Sequence, residues 1–160
     1  MVQLKPYNNN QFPILSSWVP DEDALLLFAG NDFSFPLTAE QLSNHINSFP
    51  EREYYFGELN DEPVAFGEII PQESGNPRLG RIIVKPEKRG EGIGQQFLRA
   101  LIKRCRDRFD CAAVELYVID TNQRAINCYT ALGFLFLPGE DLTPIFNGKQ
   151  VIAKKMRLLL

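Results

Sequence analysis

An α/β domain, with helices and strands interleaved along the chain, is the fold class the sequence predicts, and three stretches carry that prediction. Glu53 to Leu59 and Pro63 to Ile70 are apolar, strand-like runs separated by the polar turn Asn60-Asp61-Glu62, which predicts an antiparallel hairpin. Leu79 to Lys85 is a further strand that stops at Pro86 and leads into a glycine-rich loop and the amphipathic segment Gln95 to Phe109. Ala112 to Ile119 then reads as a buried strand, followed by a short capped helix and a strand at Phe134 to Leu137.

The remaining elements follow in order. Val2 to Pro6 alternates enough for a first strand. Asn10 to Trp18 and Asp21 to Phe28 are expected to be short helices divided at Pro20. Thr38-Ala39-Glu40-Gln41 has the form of a capping box and opens a helix to about Phe49, before Pro50. In the segment from Gln95, the apolar residues Phe97, Leu98, Leu101, Ile102, Cys105 and Phe109 share one side. Arg99, Lys103, Arg104 and Arg106 lie largely opposite, as a solvated face. Gln150 to Leu158 is the last expected strand. The apolar end Leu158-Leu159-Leu160 is expected to pack on this domain or on a second subunit, so a homodimer is open.

Composition fits one domain over residues 1–160: 44% hydrophobic and 23% charged residues are ordinary for a soluble globule. No apolar run is long enough to span a bilayer, and Met1-Val2-Gln3-Leu4-Lys5 lacks the regions of a secretory signal. Three cysteines, Cys105, Cys111 and Cys128, have no metal-ligand spacing and read as reduced thiols, which points to the cytoplasm and to no metal. The single histidine, His45, reads as a surface residue of a polar helix. A net charge of −3 argues against a nucleic-acid surface and is compatible with a cationic amine substrate.

The chemistry begins at Ile82-Ile83-Val84-Lys85-Pro86-Glu87-Lys88-Arg89-Gly90-Glu91-Gly92-Ile93-Gly94. A strand, a loop of bare backbone and a helix start bring free N–H groups and the positive end of the helix dipole to one point, a natural place for a phosphate. No Lys-Ser or Lys-Thr follows the glycines, so the loop is not of the nucleoside-triphosphate type. The spacing G-x-G-x-G, late in the strand order, is not the dinucleotide fingerprint G-x-G-x-x-G. The pattern present is V-x-P-x-x-R-G-x-G-x-G, met by Val84, Pro86, Arg89, Gly90, Gly92 and Gly94.

A second motif runs from Asn122 to Phe134. Thr121 or Asn122 can cap a helix there, Gly133 can end it in the left-handed region, and Ala125, Ile126, Tyr129 and Leu132 share a packing face. By its spacing alone Tyr129 fits a core residue. The pair of motifs, the second being N-x-x-A-x-x-x-Y-x-x-x-G-F on Asn122, Ala125, Tyr129, Gly133 and Phe134, resembles the GNAT superfamily of N-acetyltransferases over roughly residues 63 to 137.

The resemblance implies a GNAT fold whose mixed central sheet splays between its fourth and fifth strands, with the pantetheine arm of acetyl-CoA lying in the opening. It implies that Ile82 and Val84 meet pantetheine through their backbone. Arg89, Gly90, Glu91, Gly92, Ile93, Gly94 and Gln95 would cradle the pyrophosphate, and Asn122 would touch the pantetheine amides. Lys85, Lys88 and Arg124 are candidates for the 3′-phosphate. Tyr129 would be the acid that protonates the leaving thiolate, since a phenol of pKa ~10 is protonated at neutral pH. Cys128, beside it, has no activating histidine nearby in sequence.

Glu68 is the candidate base, either facing the acyl end, as relatives place a carboxylate, or simply turned to solvent. Relatives that acetylate protein N-termini often carry L-E-V where this chain has Leu116-Tyr117-Val118, which counts against a ribosomal-protein-type activity. Tyr117 is expected to line the acceptor pocket with Tyr54, Tyr55 and Trp18, unless these aromatics are core. The expected activity is transfer of acetyl from acetyl-CoA to a small-molecule primary amine, without metal or covalent enzyme intermediate. A protein or peptide amine and a non-catalytic acyl-CoA-binding module are the alternatives. The stretch from Phe28 to Phe49 is expected to shape the acceptor side.

Overall fold

A computed structural model describes residues Met1–Leu160. Seven strands form one mixed sheet in the order β1-β2-β3-β4-β5-β9-β6: β1 (Gln3–Pro6), β2 (Glu53–Leu59), β3 (Glu62–Ile70), β4 (Arg78–Val84), β5 (Ala113–Ile119), β6 (Leu135–Phe136) and β9 (Ala153–Leu159). β2 and β3 pair antiparallel, as the hairpin pattern predicts. Asn60 and Asp61 both adopt positive φ, the geometry that matches a tight turn to the twist of its strands.

Two hydrophobic cores sit on opposite faces of the sheet, because successive strand residues point to opposite sides. On one face α4 (Ile93–Arg108) crosses the sheet and buries Phe97, Leu98, Leu101 and Ile102 with Val64, Ile69, Leu79, Val114 and Leu116. The other face is covered by α1 (Phe12–Ser16), α2 (Glu22–Ala29) and α3 (Ala39–Ser48), which bury Leu15, Leu25, Phe28 and Leu42 with Phe56, Phe66 and Ile83. α4 seats closely because β2 and β3 offer it glycines. A Cβ on Gly57 would come within 2.5 Å of the Phe97 ring, and one on Gly67 within 2.9 Å.

The sheet is not continuous at its centre. β4 and β5 form its one parallel pair, and they are joined only at Arg78–Glu115 and Leu79–Leu116; beyond Leu79 the strands separate. The expected splay between the fourth and fifth strands is therefore present. A bulge in β4 accompanies it. Between the pairs Glu68–Gly80 and Phe66–Ile83 the strand carries an extra residue, and Arg81 takes φ 49°, the left-handed region that a bulky residue avoids.

Several local expectations are corrected. Thr38 caps α3 through Gln41 N–H, but the Gln41 side chain does not return to complete a capping box. It bonds Ser34 N–H and the carbonyls of Ser34 and Pro36, tying down the preceding loop. The last strand starts at Ala153 rather than Gln150. Lys149–Gln150 (β8) pairs back on Ile145–Phe146 (β7) around Asn147-Gly148, both at positive φ. The Asn-Gly pair was the sequence signal for that hairpin. No helix is long and apolar enough to cross a membrane.

Candidate active site

A cleft of about 420 Å³ opens where β4 leaves β5, between the β4–α4 loop, the start of α5 (Gln123–Ala131) and α2. The structure brings Ile82, Val84, Arg89, Gly90, Gly92, Ile93, Gly94, Gln95, Asn122 and Tyr129 together on its wall. Glu91 is exposed and stands apart from that lining.

The loop end of the cleft is backbone-rich. Gly90 and Gly92 have φ 82° and 78°, and a Cβ on either would meet nothing within 4 Å, so the concave side of the loop is open. Gly92 caps α4 without any side-chain hydrogen bond, which leaves the first-turn N–H groups available. Gly94 lets α4 approach its neighbours: a Cβ there would stand 3.3 Å from Cys128 Sγ and 3.5 Å from Val84. Arg89 braces the loop by donating from Nε to the Val84 carbonyl at 3.1 Å. Lys88 and Arg124 line the same end, whereas Lys85 is ion-paired with Glu62 outside it.

Asn122 caps α5, its Oδ1 accepting from Ala125 N–H, and Gly133 ends the helix region with φ 100°. These two devices set the rotation of the short helix, and with it the direction of Tyr129. Its ring is buried, packed 5.9 Å from Phe134, while it also lines the cleft. Burial raises the phenol pKa well above its ordinary value, and the neighbouring Cys128 adds to the shift, so the hydroxyl is a proton holder at neutral pH. Burial likewise raises the Cys128 thiol, which keeps it a poor nucleophile.

Glu68 does not line this cleft. It is fully buried on the α3 side of the sheet, neither solvent-facing nor open to a ligand. Its carboxylate accepts from Arg52 Nη1 at 2.6 Å and meets His45 Nε2 and Arg81 Nη1 at 3.3 Å. Burial alone would raise its pKa; hydrogen bonding to His45 and Arg52 and the charge of Arg81 outweigh it and hold the group below the usual carboxylate range. His45 is thereby corrected from a surface residue to an interior one, its side chain 8% exposed and its ring against Phe33, Phe49 and Tyr54. The α3 pattern was too polar to signal this, because the buried partner of His45 is itself charged.

The aromatics divide. Trp18 is core, packed edge-on to Phe56. Tyr54 donates to the Phe49 carbonyl, and Tyr55 donates to Glu53 on the opposite face. Tyr117, partly open like Tyr54 and Tyr55, lies under the Arg78 guanidinium. Periodicity missed one wall of the cleft: Asp23, Ala24, Leu27 and Phe28 of α2. Leu27 is 42% exposed beside the cleft, and nothing in the sequence pattern of α2 signals it.

A sequence model of the acetyltransferase (GNAT) family matches residues 18–134, and the chain belongs to that family. The spermine/spermidine N(1)-acetyltransferase of Bacillus subtilis (strain 168) is 30% identical over 84 residues, covering 52% of this chain and 53% of that protein. A thialysine N-epsilon-acetyltransferase of Bos taurus is 40% identical over 68 residues, covering 42% of this chain and 36% of that protein. These matches thus take in about half the length of the relatives, or less. Among solved structures, spermidine N-acetyltransferase from Vibrio cholerae in complex with CoA and spermine superposes with a TM-score of 0.79 at 16% identity. That superposition covers 99% of this chain and 95% of that one, and shows a shared fold.

Proposed function

We propose that this chain transfers an acetyl group from acetyl-CoA to the amine of a small molecule. The observation that carries the reading is a single cleft with a phosphate-ready helix start at one end and a buried, proton-holding tyrosine facing into it. Family membership and relatives named for amine acetylation support it.

The residues present fit the donor. Gly90 and Gly92 leave room for a diphosphate, and the N–H groups of the first α4 turn would bind it. Lys88 and Arg124 supply positive charge for the 3′-phosphate. The edge of β4 beyond Leu79 is left by β5, so the Ile82 and Val84 main chain can pair with the amides of pantetheine.

In the reaction the free amine attacks the thioester carbonyl, an N–C bond forms, and the C–S bond breaks. Tyr129 gives its proton to the departing sulfur and regains one from solvent, which also takes the proton lost by the amine. Backbone N–H groups at the β4 bulge would stabilise the oxyanion. Glu68 is assigned a positioning role rather than that of the base: its oxygens are occupied by Arg52, His45 and Arg81, and Arg81 forms the bulge.

Thiol release from acetyl-CoA, followed across a panel of amines, tests the proposal. Amine-dependent release with acetylated product identified by mass is expected. Coenzyme A binding with no release for any amine would favour a non-catalytic binding module.

A further inference from the structure

One side chain outside the donor cleft bears on the identity of the acceptor. Arg78 opens β4 at the closed end of the split, half-buried, and makes neither an ion pair nor a side-chain hydrogen bond within the protein. The other cations of this face are matched. Arg52 and Arg81 pair with Glu68, and Arg81 also with Asp32; Lys155 pairs with Glu115 and Glu140, and Arg157 with Glu115. Each of those carboxylates is in turn engaged, so none of them is left for Arg78.

Arg78 is also held. Its guanidinium carbon lies 5.5 Å from the centre of the Tyr117 ring, within cation–π range, and its N–H groups are left to donate. Leu79 and Leu116, the last pair joining β4 to β5, turn into the α4-side core, so Arg78 and Tyr117 flank them on the opposite face. That puts them next to the bulge at Arg81, on the side of the sheet away from α4. Burial, with the charges of Arg81 and Arg52 nearby, makes the site unfavourable for a cation and disposes it toward an anion. An unpaired, partly desolvated guanidinium is costly, and a planar carboxylate offers it two parallel hydrogen bonds.

We propose that Arg78, braced on Tyr117, receives a carboxylate carried by the acceptor, so that the substrate is an amino acid rather than a polyamine. This rests on the acetyl-transfer reading. A polyamine would instead bring a second ammonium toward the unpaired Arg78, a like-charge approach that disfavours it.

The test uses pairs that differ by the carboxylate alone: lysine with cadaverine, ornithine with putrescine, phenylalanine with phenethylamine, and spermidine beside them. Thiol release is measured for the wild type, Arg78→Gln and Arg78→Lys. For at least one pair the amino acid is expected to exceed its decarboxylated partner in kcat/KM by about tenfold to a hundredfold, the range of one charge-assisted contact. That ratio should fall toward one in Arg78→Gln and recover partly in Arg78→Lys. Equal or better use of the decarboxylated amines or spermidine, or an unchanged ratio in Arg78→Gln, overturns the proposal.

A binding arm separates this from failure of the parent reading. The same amino acids are titrated calorimetrically into protein saturated with coenzyme A. Uptake by the wild type that is at least tenfold weaker in Arg78→Gln supports the carboxylate site even without turnover. No uptake, or uptake insensitive to Arg78, overturns it when turnover is also absent. Absence of transfer to every amine by itself rejects only the acetyltransferase reading.

Discussion

Glu68 and Arg81 face each other across the β3–β4 ladder, Oε2 to Nη1 at 3.3 Å, at the point where β4 bulges and begins to leave β5. Arg81 is bound on its other side by Asp32, so a strained left-handed residue is pinned from two directions. Truncating Glu68 to Ala would leave Arg52 buried without its counter-charge and Arg81 held by Asp32 alone. A loss of about 3–5 kcal/mol is expected, measured by urea unfolding.

The same carboxylate predicts a pH dependence. Its folded pKa is depressed, so its contribution is fully present above the unfolded value of ~4.3 and is lost as pH falls through the folded value. Glu68→Gln should therefore melt below the wild type at pH 7, and the two melting temperatures should converge as the medium is acidified below about pH 4. Parallel curves at all pH values would reject the ionised network.

Gly92 has φ 78° with open space where a side chain would stand. Gly92→Val strains the backbone and fills the concave side of the loop. It is expected to weaken coenzyme A binding at least tenfold, a cost of about 1.4 kcal/mol. Near-UV dichroism should remain that of the wild type. Unchanged affinity by calorimetry would remove this loop from the diphosphate site.

Gly57 and Phe97 test how α4 is seated. A Cβ at Gly57 would meet Phe97 at 2.5 Å and Val2 at 2.8 Å. Gly57→Ala should cost about 1–3 kcal/mol by overpacking. Part of this should return in Gly57→Ala/Phe97→Leu, so that the double-mutant cycle gives a favourable coupling. Strict additivity would contradict the contact.

Much of this fold was legible because its central elements have clear periods. Glu53 to Leu59 is an aromatic-rich, strand-like run before a polar turn, α4 keeps an apolar stripe, and Pro86 and the glycines mark the junction between β4 and α4. The loop end of the cleft was legible for the same reason: a run of glycines at a helix start has few structural uses. What escaped depends on pairing between distant segments. Glu68, His45 and Arg52 are polar in sequence and become interior only because they neutralise one another. The α2 wall carries no motif, and its Leu27 is exposed only because the cleft beside it is open. Tyr117 is set apart from Tyr54, Tyr55 and Trp18 by the Arg78 guanidinium above it, a contact between β4 and β5 that no local pattern shows.

The proposed acetyl transfer requires the hydroxyl of Tyr129 to deliver a proton to sulfur. The direct measurement is single-turnover acetyl transfer by Tyr129→Phe, alongside a coenzyme A titration of the same protein. The prediction is a rate lower by about 10²- to 10⁴-fold with affinity for coenzyme A essentially retained. A variant that transfers acetyl as fast as the wild type would contradict the assignment.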